Sequence, residues 1–309
     1  MELASRVGAF AVIGALLLRL GGSSLPQKLV NVMADPKVTE LILFVETGYR
    51  VTQSPKKEFH EAESAPPILK SPLSFSQEDA RLVTLHSSAV AEADIPALLT
   101  QPLQWNLYGQ EPTVLILHTH TTESYTGSYK KEGAYRTLDA QYNMLRVGQA
   151  LSDALTGAGI GVLHDQTLHD YPSYNGSYAH ARESIGVYLE QYPSIRLVID
   201  LHRDAISDGR GNQLAYTCGD TAQLMLVIGT NHENWTENMA LAVKLQACLE
   251  QKNTGICRPM VLRAQRFNQD LSPGTILIEV GAAGNTLEQA MQAVDPLSKA
   301  IIDLAEGTG

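Results

Sequence analysis

No run of lysines or arginines occurs anywhere in this 309-residue chain, and its formal charge is -10. Binding to nucleic acid by bulk electrostatics is thereby excluded, and only a local patch could serve. Cysteine is scarce: Cys218, Cys248 and Cys257 are an odd three with no CxxC spacing. Neither a disulfide framework nor a cysteine-based zinc knot follows, although one pair could form in an oxidising compartment. A GxGxxG fingerprint and a phosphate loop are both missing, which removes the support for nucleotide binding. Ser124 has no nucleophile-elbow context and no cysteine neighbours a motif histidine, so a serine or cysteine nucleophile is poorly supported. No internal repeat is visible. What remains is an ordinary globular balance, 44% hydrophobic with 18% charged, in a chain long enough to bury a sizeable core.

Long apolar runs are also missing, with one borderline case. Between Arg6 and Arg19 lies VGAFAVIGALLL, shorter than the roughly 20 residues of a full membrane span. With Arg19 snorkelling and Leu-Gly-Gly following, it could still cross. A cleaved signal peptide and a buried helix are the competing readings. The lack of a small-x-small cleavage site favours an uncleaved signal anchor over residues 1–25. Residues 26–102 read as a juxtamembrane region and linker. TELILFVETGYRV at 39–51 is too short and too charged to span, Thr52 to about Pro72 is rich in Ser, Pro, Lys and Glu, and Glu78 to Leu99 has helix-like stretches broken by Pro96.

From Leu103 onward the pattern is regular. Strand-like runs at Val114–His118, Gly161–His164, Ile195–Leu201, Gln223–Gly229 and Thr275–Val280 alternate with helical segments near Asp139–Thr156, Ser177–Gln191, Asn234–Gln251 and Leu287–Glu306. Such alternation predicts a three-layer α/β domain with a largely parallel sheet, here over residues 103–309.

Three strand ends carry ionisable residues: HTHTTE at 118–123, DLHRDA at 200–205 and IEVGAAGN at 278–285. Charges directly after buried strands are costly unless paired or ligated, and open α/β sheets place their chemistry at these ends. Two histidines, a carboxylate ligand and a further carboxylate make up the inventory of a catalytic zinc site with a general base. His120 and Glu123 offer two ligands on one turn, His202 a third, and Glu279 the base. His118 competes with His120 for the first position. Taken singly, each of these residues has a plainer reading as a satisfied histidine or a helix cap; the joint pattern is what points to a site. Arg203 could hold a substrate carboxylate or a developing oxyanion, or simply pair with Asp204 or Asp200. His164, His169, His180 and His232 read as structural or surface residues, and His60 and His86 fall outside the regular region. Gly281, Gly284 and Asn285 read as a turn into the last helix.

HTHTTESY, YNMLRVGQAL, IDLHRDA and ILIEVGAAGNTLEQA, in this order, resemble stage II sporulation protein P, a family of peptidoglycan hydrolases of endospore-forming bacteria. A wider likeness is to zinc-dependent N-acetylmuramoyl-L-alanine amidases and zinc carboxypeptidases. The resemblance implies a zinc ion held by His120, Glu123 and His202, with Glu279 as base. One departure is that the amidases take their glutamate ligand from the start of the following helix, where this chain has Asp139 and Gln141. The implied substrate is the amide between the muramic acid lactyl group and L-alanine of the stem peptide, with peptide cross-links as a second target. The implied setting is a single-pass membrane protein with its catalytic domain outside the cytoplasmic membrane. Its implied partners are stage II sporulation protein D and a membrane scaffold, active during spore engulfment. Two rivals remain: a non-catalytic wall-binding module of the same fold, and a zinc carboxypeptidase or deacylase using Arg203 as carboxylate anchor.

Overall fold

A computed structural model describes residues 75–87, 93–103, 106–109, 111–127 and 135–307. The expected signal anchor, the 39–51 patch and the stalk lie outside the described residues. No helix among the described residues is long and apolar enough to cross a membrane.

The elements in chain order are a 3-10 turn Gln77–Leu82, strand β1 Leu85–Ser87, helix α1 Ile95–Thr100, β2 Val114–Leu117, α2 Met144–Gly157, β3 Val162–His164, α3 Ser177–Gln191 and β4 Leu197–Asp204. There follow the short strands β5 Thr217–Cys218 and β6 Thr221–Ala222, then β7 Leu224–Gly229, α4 Trp235–Lys252, β8 Met260–Arg263, a 3-10 turn Gln269–Leu271, β9 Thr275–Ala282 and α5 Leu287–Gly307. Seven strands form one sheet in the order β1-β8-β7-β9-β4-β2-β3. Every neighbouring pair is parallel except β7 with β9, so two parallel blocks run in opposite directions and meet at that pair.

The expected strands and helices are all present, with shifted ends. Helix α2 begins at Met144 and not near Asp139, because Asn143 caps it by accepting from the Leu145 amide. Pro96 does not break a helix but sits in the first turn of α1, where its missing amide costs nothing. Strands β1 and β8, of three and four residues, add to the expected set. His86, expected outside the regular region, belongs to β1 and is exposed on the sheet's edge. The sheet thus takes in residues ahead of the expected start at Leu103. All three cysteines are free.

Strand alternation divides the core. Val114, Ile116, Ile199, Leu201, Ile276, Ile278 and Val280 face the main cluster, built with α1, α2, α4 and α5. The opposite face is more thinly covered. Leu115, Leu117 and Val198 pack under α3, while Met225, Val227, Val261 and Leu277 pack under Phe267 from the loop before β9. His202 and Glu279 belong to this second face. The ladder between β4 and β9 slips by one residue after His202, pairing Asp204 with Ala282. Gly281 absorbs the slip with φ +64°, a backbone conformation that favours glycine. The buried side chain of Asn285 fixes the turn, accepting from the amides of Ala282 and Tyr216.

Candidate active site

The segment from His118 to Tyr125 is buried almost whole although nearly all polar, so each group needs a partner. Asp200 accepts from the Thr119 amide at 2.8 Å and hydroxyl at 2.6 Å. Thr121 donates to the carbonyls of His118 and Thr167, and Thr122 donates through amide and hydroxyl to Asp170. The Tyr125 hydroxyl donates to the Val280 carbonyl at 2.9 Å, tying this segment to β9.

His118 and His120 point to different places. The His118 ring is fully buried, with Nδ1 2.9 Å from the Leu201 carbonyl and Nε2 2.9 Å from Nε2 of His164. Burial, reinforced by His164, pushes its pKa down to about 3. Both ring nitrogens are committed to protein, which turns His118 away from the other candidate ligands. The His118–His164 pair lies against Gly148 of α2, where a Cβ would come 2.6 Å from Nε2 of His164 and closer still to His118. Gly148→Ala is therefore expected to cost about 1–3 kcal/mol, read as a lowered thermal midpoint. A wild-type midpoint would show that the histidine pair yields freely.

His120 turns the other way. Its ring stacks on Tyr174 with centroids 4.4 Å apart and meets the His202 ring edge-on at 5.2 Å. Nδ1 stands 3.3 Å from the Ser177 hydroxyl at the start of α3. Burial first, and the neighbouring His202 second, push its pKa down to about 3. His202 and Glu279 are register partners on adjacent strands, so their side chains leave the same face side by side. Glu123 Oε2 lies 3.8 Å from His202 Nδ1. His202 Nε2 is 2.9 Å from Asp200 Oδ1, an ion-pair contact. Burial alone would lower the His202 pKa, yet Asp200, Glu123 and Glu279 together raise it to about 9. Asp200, held low by His202 and Thr119 against its own burial, falls to about 2. Glu279 has its Oε2 buried without a hydrogen-bond partner among the described residues. Burial, then the carboxylates of Glu123 and Asp204, raise its pKa to about 8.

Arg203 does not reach into the site as an anchor. Its guanidinium donates to the Ser124 carbonyl at 3.0 Å and the Tyr135 carbonyl at 2.7 Å and meets Glu123 Oε1 at 3.4 Å. Neither of the ion pairs weighed for it forms, since Asp204 pairs with Arg258 and Asp200 with His202. Arg203 instead clamps the segment that carries Glu123. Arg203→Ala is expected to cost about 3–5 kcal/mol of stability, because it strands two carbonyls and weakens the compensation of a buried carboxylate. Denaturant unfolding measures this, and a loss below about 1 kcal/mol would return Arg203 to a functional role.

Several neighbours complete the site. Asp200 lies two residues before His202, and strand parity alone puts both on one face. Tyr174 from the loop before α3 and Ser177 and Tyr178 from its first turn surround His120, and Arg136 bridges Asp170 at 2.7 Å and Glu123 at 3.6 Å. No spacing signal in the sequence links these to the histidines. His164, His169 and His180 are structural, as expected: His169 pairs with Asp165 at 3.0 Å and His180 with the His169 carbonyl at 2.9 Å.

The family model for stage II sporulation protein P matches residues 40–302. The chain belongs to the stage II sporulation protein P family. It is 28% identical over 253 residues to stage II sporulation protein P of Bacillus subtilis (strain 168), covering 76% of this chain and 59% of that protein. The chain thus spans less than two thirds of that curated relative's length. Among solved structures it is similar to the N-acetylmuramoyl-L-alanine amidase AmiC2 of Nostoc punctiforme, with 13% identity, a TM-score of 0.41, and 62% and 97% of the two chains covered. It is also similar to the amidase Ami1 of Mycobacterium smegmatis, with 12% identity, a TM-score of 0.42, and 65% and 98% covered.

Proposed function

We propose that this chain is a zinc-dependent peptidoglycan hydrolase of sporulation that cleaves the amide between N-acetylmuramic acid and L-alanine. The observation that carries the reading is the juxtaposition of His202 and Glu279 in register on neighbouring strands, with His120 and Glu123 brought alongside. Among the described residues no three His, Cys, Asp or Glu side chains form a ready-made metal cage. The donor set nevertheless fits a zinc ion: two imidazoles, a carboxylate near one of them, and three carboxylates that make a positive charge favourable where His202 stands. His120, His202 and Glu123 would hold the metal, and His118 would not. Bound there, zinc would polarise the scissile carbonyl and acidify a water.

The chain's own residues supply the rest. Asp200 orients His202 through its ionic contact at 2.9 Å, as carboxylates commonly orient metal-binding histidines. Ser177 and Tyr174 hold the His120 ring. Glu279, in register beside His202 and with one oxygen unpartnered among the described residues, stands where a carboxylate could take a proton from the attacking water and pass it to the departing amine. The carboxypeptidase reading has lost its anchor, because Arg203 is consumed by Glu123 and two carbonyls. Digestion of purified peptidoglycan with the full chain, followed by mass spectrometry of the new ends, is the test. New L-alanine amino termini are expected; new ends confined to peptide cross-links, or no new ends, would overturn the reading.

A substrate in the wall calls for an exported domain, and we propose that the residues near 7–20 hold it at the membrane. Protease applied to intact protoplasts is expected to remove it, and protection would refute that placement. Stage II sporulation protein D and a membrane scaffold are the partners to test alongside.

A further inference from the structure

His120 and His202 stand in the middle of a row of aromatic rings. Tyr174 stacks on His120 at 4.4 Å, Tyr178 meets His120 at 5.5 Å and lies nearly parallel to His202 at 6.4 Å, and Phe267 closes on Tyr178 at 5.8 Å. A cavity opens at each end of this row, and the two differ in chemistry.

At the Tyr174 end the cavity is about 550 Å³ and is walled by Arg136, Leu138, Asp139, Asp170, Tyr171 and Tyr174 among others. Leu138, Tyr171 and Tyr174 are about half exposed, at 49%, 53% and 52%, and belong to a group of only five large apolar side chains left exposed among the described residues. Such a concentration of exposed rings beside a polar site marks a ligand surface. Arg136 lies over the Tyr174 ring at 4.4 Å and is already paired with Asp170 and Glu123. With Asp139 added, carboxylates outnumber the one guanidinium, so this end repels a polyanion. It suits an uncharged ligand with apolar faces and hydrogen-bonding edges, which describes an N-acetylated sugar.

At the Phe267 end the cavity is about 480 Å³, and Arg182 and Arg266 line it with no carboxylate in its wall. Asp270 behind it accepts both arms of Arg182 at 2.8 Å and stands 4.0 Å from Arg266, leaving two guanidiniums against one carboxylate. The Arg266 side chain is 58% exposed. Phe267 and Asn268 both hold positive φ, +52° and +58°, which costs free energy in residues with a Cβ. Asn268 secures the turn by donating to the Tyr178 carbonyl at 2.8 Å.

We propose that a glycan-linked peptide crosses the site in one direction, its sugar against Tyr171 and Tyr174 and its peptide carboxylates toward Arg266 and Phe267. This rests on the reading of the site as peptidoglycan-cleaving and adds the direction in which the substrate lies. The test is equilibrium binding of the full chain to two probes, uncharged N-acetylglucosamine oligomers and a sugar-free anionic stem peptide. Tyr171→Ala is expected to weaken glycan binding about tenfold and leave the peptide alone, and Arg266→Ala to do the reverse. Both side chains are largely exposed, so thermal midpoints near wild type should accompany these losses. Equal effects of either variant on both probes, a crossed pattern, or a wild-type chain that binds neither probe would overturn the proposal. Binding split in the expected way without any cleavage of peptidoglycan would sink the hydrolase reading and leave the two ends assigned.

Discussion

Glu279→Gln is expected to slow peptidoglycan cleavage by about 10²–10⁴ while the protein stays folded and keeps its metal. Glutamine preserves the shape of the side chain on β9 and its place beside His202, but it cannot accept a proton. Glu279 also carries a folding cost that glutamine would relieve. One of its oxygens is buried without a hydrogen-bond partner among the described residues, and burial together with Glu123 and Asp204 raises its pKa. The thermal midpoint should therefore hold or rise as the rate falls, a combination that a merely structural carboxylate would not give. Zinc content, thermal midpoint and cleavage rate measured on one preparation decide the matter. A stable, metal-loaded and nearly fully active variant would remove Glu279 from the mechanism.

The second large effect is on metal content. His120→Ala is expected to take zinc from about one ion per chain to near none, because two remaining ligands rarely retain the metal. His202→Ala should do the same and also destabilise the fold, since it leaves Asp200, Glu123 and Glu279 facing one another without the imidazole between them. His118→Ala provides the contrast. Its ring is bound to Leu201 and His164, so the variant should lose stability and keep its zinc. Elemental analysis of the three variants checks this, and the opposite pattern for His118 and His120 would restore His118 as the ligand.

Most of the architecture was legible because buried parallel strands and amphipathic helices write their periods into the chain. β2, β4, β7 and β9 read as apolar runs, and α2 through α5 as recurrences at three and four. β1 was not legible because Leu85, His86 and Ser87 make no apolar run; the length of β8 does not set it apart from β2, which was read. The three strand ends do meet in space, bringing His120, His202, Glu123 and Glu279 together. What the sequence could not supply was direction. His118 and His120 are two residues apart on one loop, and only the packing of α2 and α3 on opposite faces of the sheet decides which ring goes where. Arg203 escaped for a similar reason, since its partners at Ser124 and Tyr135 are far from it along the chain.

The bulge at Gly281 bears on which insertions and deletions this family can accept. Removing one residue from β9 ahead of Glu279 would invert the faces of everything between the lesion and the bulge, sending the carboxylate into the main core and an apolar neighbour to His202. Beyond Gly281 the count no longer matters in the same way, because the ladder has already slipped once and the turn to α5 is fixed by the Asn285 side chain rather than by strand pairing. Length changes past Asn285 should therefore spare the pairing of His202 with Glu279. Among relatives of this chain, the distance from Thr275 to Glu279 should be invariant, and variation in length should collect after the bulge.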